Sequence, residues 1–259
     1  MHARSAALDF LGIERWELRG SSPPPPPAVV LPSRVSSAAS ATPAAPATPA
    51  PAAAAAAAAS LRVPPIVADT AWEPLCSEVA GCVACGLAAG RTQTVFGVGN
   101  RAAEWLVIGE APGAEEDRQG KPFVGRAGGL LDSMLRAIGL ERDAVFIANI
   151  LKCRPPHNRD PRPDEVAACL PFLHRQIALL KPRLILAVGR IAAQNLLGSD
   201  APIGRLRGQV HRFGAADLPL IVTYHPAYLL RSPGEKRKSW EDLKLARRVH
   251  AELTQQRQL

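Results

Sequence analysis

Glu110, Asn149 and His225 each stand at or just beyond the end of a short apolar run, and Phe123 lies on the segment that follows the first of them. The stretch from Gly109 to Gly125 reads G-E-A-P-G-A-E-E-D-R-Q-G-K-P-F-V-G and comes directly after Trp105–Ile108. Glycines and a proline placed there describe a tight turn at the carboxyl end of a buried strand, which is where open α/β sheets bind ligands. Four acids, Glu110, Glu115, Glu116 and Asp117, crowd the turn; a charge run of this kind also describes a solvated loop. Phe123, between Pro122 and Gly125, has no evident core to join and reads as a ring offered to something flat.

An Asn amide carries an acceptor and two donors in one plane, so Asn149 can read a base edge that places a carbonyl beside an N–H; Asn is also common at strand ends and turns. His225 precedes a proline and can aim a ring nitrogen at a developing oxyanion, or simply cap the next helix. Cys82 and Cys85 form C-x-x-C, with Cys153 and Cys169 16 residues apart. Two pairs of thiolates suit Zn²⁺ or a four-cysteine iron–sulfur cluster, and ordinary buried cysteines remain the alternative. Cys76 is left over as a structural residue.

Apolar runs at Trp105–Ile108, Val145–Ile150, Leu184–Val188 and Leu218–Tyr224 alternate with helical patterns at Ala127–Ile138, Pro163–Leu180 and Arg190–Leu197, and Lys236–Gln258 reads as a last charged helix. Asp164 and Glu165 follow Pro163 in a first turn, and Gly139 and Gly198 stand where helices should stop. Strand–helix alternation predicts a three-layer α/β/α domain with a mainly parallel four-stranded central sheet, beginning near Thr70 and running over residues 70–259.

Ahead of it the composition changes. Residues 21–65 hold 12 of the 25 prolines and little beyond Pro, Ala, Ser and Thr, which predicts a disordered linker spanning roughly 35–40 Å as a flexible coil. Within residues 1–20, positions 5–18 carry Ala6, Phe10, Ile13 and Trp16 at helical spacing, a short helix that could dock on a partner protein. The 259 residues carry 31 Lys+Arg against 23 Asp+Glu, a net charge of +8, and only 6 of those cations are Lys. An Arg-rich basic chain suits a phosphate-bearing partner, although genomic base composition produces the same bias. No run reaches the roughly 18 apolar residues that span a bilayer, and Ala52–Ala59 lies behind prolines far from the N-terminus, so a soluble, cytoplasmic protein is expected. Five cysteines without a secretory signal argue for metal or catalytic use over a disulfide framework.

From about Leu75 onward the chain resembles the family 4 uracil-DNA glycosylases, the thermostable-type iron–sulfur members of their superfamily. The motifs that carry the likeness are G-E-A-P-G-A-E-E-D, K-P-F-V-G-R-A-G, N-I-L-K-C-R-P-P, the C-x-x-C with its two distant cysteines, and H-P-A, all in family order. The resemblance implies that Phe123 stacks on an extruded uracil, Asn149 reads its edge, His225 lies near O2, and Cys82, Cys85, Cys153 and Cys169 hold a [4Fe–4S] cluster. Glu110, with Glu116 as helper, would position the attacking water or balance the sugar cation, and either Ala111 or the pocket shape as a whole would reject thymine. The turn after Cys153 lacks the basic insert of the related uracil-crosslinking group, which argues against a covalent trap.

The expected protein is thus a monomeric, monofunctional glycosylase that flips uracil out of single- or double-stranded DNA and leaves an abasic site, with Leu229 or Leu230 filling the vacated stack or packing inward. Residues 5–18 would recruit a replication or repair protein. Two alternatives stay open: an inactive iron–sulfur or zinc nucleic-acid-binding module, and a cysteine-based redox or zinc protein.

Overall fold

The computed structural model describes residues 72–256. The expected N-terminal helix and linker lie outside the described residues. The chain runs α1 (Trp72–Ala80), β1 (Val98–Gly99), β2 (Trp105–Gly109), α2 (Ala114–Gln119), α3 (Gly125–Ala137), β3 (Phe146–Asn149), α4 (Pro163–Leu180), β4 (Leu184–Val188), α5 (Arg190–Leu197), α6 (Ile203–Leu206), β5 (Val210–Phe213), β6 (Leu218–Thr223), α7 (Pro226–Arg231) and α8 (Lys236–Gln255), with short 3₁₀ turns between.

The sheet order is β1-β3-β2-β4-β6-β5. Its four central strands are parallel, as expected; β1 and β5 pair antiparallel at the two edges and raise the count from four to six. Both additions are weak in sequence. β1 has two residues, and β5 (Val-His-Arg-Phe) leaves one side of its alternation in solvent. By contrast β2 and β4 are buried at every residue, the mark of a parallel strand covered on both faces. Alternate residues feed two cores. Leu106 and Ile108 pack with Leu75, Val79 and Leu173 on one face, and Val107 packs with Leu131, Leu135 and Leu243 on the other. Full burial of such side chains contributes about 1.5–3 kcal/mol each.

Helix α4 starts at Pro163, where the Glu165 carboxylate accepts the Arg162 N–H at 2.8 Å and pairs with Arg159 at 2.5 Å. Helix α8 is fastened by a buried pair, Arg207 donating to both oxygens of Asp242 at 3.0 and 2.8 Å. The acidic stretch after Gly113 is a helix, α2, rather than a solvated loop: Asp117 is buried and both its oxygens accept the Thr92 N–H at 3.0 Å. Leu229, offered above as a DNA wedge, is 1% exposed and packs into the second core through α7; Leu230 is half-buried. Among the described residues no helix is long and apolar enough to cross a membrane.

Candidate active site

The chain passes from β2 outward to β3 and then back across β2 to β4, so the connections leaving β2 and β4 diverge. This is the switch point at which α/β sheets form a crevice. A cleft of about 440 Å³ opens there, and Glu110, Ala111, Glu116, Phe123, Asn149 and His225 all line it. Four loops or strand ends far apart in sequence therefore converge on one cavity of a size that suits a small ligand.

Phe123 joins the second core and is 6% exposed, yet its ring also faces the cleft, stacked on His225 with centroids 5.5 Å apart and planes at 27°. Its backbone sits in the left-handed region at φ 52°, costly for a bulky residue and typical of ligand clamps. Two glycines make this possible. A Cβ at Gly128 would collide with the Phe123 carbonyl, and a Cβ at Gly109 would lie 2.5 Å from both the Phe123 ring and Asn149 Oδ1. Asn149, 2% exposed, thus presses its amide against the bare backbone of Gly109 beside the ring, and among the described residues no hydrogen bond engages that amide.

His225 caps α7: its Nδ1 accepts the Ala227 N–H at 3.1 Å. Burial, reinforced by the Arg231 cation, pushes its pKa down to about 4, so the ring is neutral at physiological pH with its proton on Nε2. Glu110 is shifted the other way, up to about 7, by burial and then by the neighbouring Asp160 carboxylate, with Arg190 opposing. Asp160 also lines the cleft and is paired with Arg190 at 2.5 Å; in the sequence Asp160 is part of an R-D-P turn and Arg190 only the first residue of a helical pattern. Glu116 spends its carboxylate on the backbone, accepting the Gly113 and Val124 N–H groups at 3.1 Å each. It thereby ties the turn after β2 to the segment carrying Phe123.

Cys82, Cys85, Cys153 and Cys169 line a second, separate cavity between α1, the turn after β3 and α4, while Cys76 lies outside it. Among the described residues no group of three or more His, Cys, Asp or Glu side chains is gathered tightly enough to hold a metal ion. The chemistry of the donor set nevertheless fits a thiolate-bound group. Burial holds the Cys153 thiol above its ordinary range and raises Cys169 to about 11, a cost that a bound cation removes. N–H groups already point at the sulfurs: Arg91 Nη1 donates to Cys153 Sγ and the Lys152 amide to Cys169 Sγ, each at 3.2 Å.

The model for the uracil DNA glycosylase superfamily matches residues 96–244, a span that includes every residue of the cleft named above. The chain is 42% identical over 184 residues to the type-4 uracil-DNA glycosylase of Sulfurisphaera tokodaii, covering 68% of this chain and 84% of that protein. Against the type-4 uracil-DNA glycosylase of Archaeoglobus fulgidus the identity is 45% over 174 residues, 64% of this chain and 87% of the relative. For the Pyrobaculum aerophilum protein of the same name it is 43% over 171 residues, covering 64% and 87%. With its fold, its cleft and these matches in agreement, the chain belongs to the uracil DNA glycosylase superfamily.

Proposed function

We propose that this protein excises uracil from DNA as the opening step of base excision repair, hydrolysing the bond between uracil N1 and the sugar C1′. The observation that carries the reading is the convergence of Glu110, Asn149 and His225 on one cleft floored by the Phe123 ring. Inside a duplex the glycosidic bond is out of reach, so the nucleotide is flipped into the cleft, at a cost of a few kcal/mol that is least for a mismatch or a single strand.

In the cleft the uracil ring stacks on Phe123, and the Asn149 amide pairs with the edge that offers a carbonyl beside an N–H. As the C1′–N1 bond breaks, its electron pair moves onto the base and charge gathers at O2. The neutral imidazole of His225 donates Nε2–H to that oxygen, stabilisation worth about 3–4 kcal/mol in comparable oxyanion sites. Water attacks C1′ and gives its proton to the Glu110 carboxylate, whose raised pKa matches a base working near neutrality. Glu116 acts as a positioning residue, since both its oxygens already accept backbone hydrogen bonds. Ala111 stands where the turn after β2 meets the cleft and is a candidate for excluding the methyl group of thymine.

Cys82, Cys85, Cys153 and Cys169 would hold a [4Fe–4S] cluster; such a group cross-links α1, the turn after β3 and α4 and supplies stability rather than chemistry at the cleft. Residues 70–259 form the catalytic unit, and residues 5–18 serve as a tethered docking segment for a replication or repair protein. Release of free uracil from single- and double-stranded oligonucleotides is the deciding assay: an iron-loaded preparation that binds the DNA and releases none would refute the reading.

A further inference from the structure

Lys152 is 1% exposed, and among the described residues it makes no ion pair with a carboxylate. A buried ammonium is expensive unless its hydrogens are taken up. Here Nζ donates to the Asn149 carbonyl at 2.8 Å and to Gln176 Oε1 at 2.7 Å, and Gln176 Nε2 donates in turn to the Phe96 carbonyl at 2.9 Å.

The sheet explains why that chain of bonds is there. The Ile150 N–H points at Gly109 in β2, so the carbonyl of the preceding residue, Asn149, points to the other side, toward β1. β1 pairs Val98 with Ile147 and Gly99 with Phe146, a register that would bring Phe96 opposite Asn149 if it continued. The β1–β3 pairing ends before that point, and the side chains of Lys152 and Gln176 bridge those two residues, next to a main-chain bond from the Val95 N–H to the Lys152 carbonyl at 2.7 Å. Lys152 also lines the cysteine cavity, and its own amide donates to Cys169 Sγ, so one residue lines the second cavity and holds the main chain of a residue that lines the cleft.

We propose that Lys152 is a positioning residue for uracil recognition: through Gln176 and Phe96 it fixes the strand end from which Asn149 reads the base. This rests on the reading of Asn149 given above, and the test separates the two. Free uracil binding is measured on iron-loaded full-length protein for wild type, Asn149→Ala and Lys152→Met, beside binding of a uracil-free single-stranded oligonucleotide and the melting temperature. Lys152→Met should raise the Kd for uracil about 10-fold, the scale of one lost hydrogen bond to a charged group, and leave oligonucleotide binding unchanged. Gln176→Met, whose side chain lies outside the cysteine cavity, should do the same and carries the test if Lys152→Met fails to fold or loses iron. If Asn149→Ala weakens uracil binding while the two supporting variants change only the melting temperature, Lys152 is merely structural and the proposal is overturned. If Asn149→Ala itself leaves uracil binding unchanged, the reading of the cleft falls and this inference falls with it.

Discussion

Nδ1 of His225 accepts the main-chain N–H of Ala227 at 3.1 Å, and this one bond decides which ring nitrogen carries the proton in the cleft. With a pKa of about 4 the ring stays neutral above pH 5, so it acts as a hydrogen-bond donor rather than as a cation. His225→Ala should lower uracil release by roughly 10²–10³ with DNA affinity nearly intact. Single-turnover rates of the variant across pH should fall in height while the midpoint of the profile stays where it is; a displaced midpoint would mean that His225 titrates in the reaction.

With Glu110 as the proposed base, its titration should set the pH dependence of turnover. Its folded pKa of about 7 is raised above the ordinary value of 4.5, so the carboxylate form grows, and turnover with it, as pH rises through about 7. Removing the Asp160 charge in Asp160→Asn should move this acid limb to lower pH. The same shift makes protonated Glu110 the form that the fold prefers, a contribution to stability that is full below pH 4.5 and lost as pH rises through about 7. Glu110→Gln should therefore melt higher than wild type at pH 8 and equally at pH 4, while cutting the rate about 10²–10⁴. Thermal melts at the two pH values check it.

Phe123 and Gly109 form a matched pair. Phe123→Ala should weaken capture of the flipped base by about 1–3 kcal/mol, the range for one aromatic–base stack. Gly109→Ala would place a methyl carbon 2.5 Å from the Phe123 ring and from Asn149 Oδ1, so it should impair uracil binding at least as much, although Gly109 itself has no side chain to offer the base. KM and kcat measured separately test this; an unchanged KM in both would remove Phe123 from the pocket floor.

Cys153→Ala should cost folding more than chemistry, because the cysteine cavity is separate from the cleft. The expected result is lost absorbance near 400 nm and a lower melting temperature, with residual activity per folded molecule. A Cys153→Ala protein as stable and active as wild type without iron would remove the cluster assignment.

Deleting residues 1–60 should leave uracil release from oligonucleotides unchanged and abolish capture of a replication or repair partner. A loss of turnover would show that the N-terminal segment serves the catalytic unit itself.

The central strands were legible in the sequence because a parallel strand buried on both faces leaves an unbroken apolar run, as Leu184–Val188 does. Helices α4 and α5 were legible to the residue, since Pro163 and Gly198 punctuate them. Glu110, Asn149 and His225 could be picked out because each follows an apolar run and the carboxyl ends of parallel strands are where such sheets bind ligands; that these positions, far apart in the chain, line one cleft was decided by the sheet order. The edge strands were not legible: two residues of β1 carry no period, and half of β5 faces solvent. Nor were the roles inside the site. Glu116 and Glu110 are equal acids in one motif, yet one is spent on backbone N–H groups while burial and Asp160, 50 residues on, tune the other. Phe123 looked coreless because its core partners arrive from α3 and α7, and nothing local to Lys152 announces that its ammonium will be buried against Gln176, 24 residues away. Sequence determines which groups are available and where strands must end; desolvation and partner choice depend on contacts between distant segments, so only the tertiary structure decides which carboxyl is desolvated, which nitrogen holds its proton and which lysine is sealed inside.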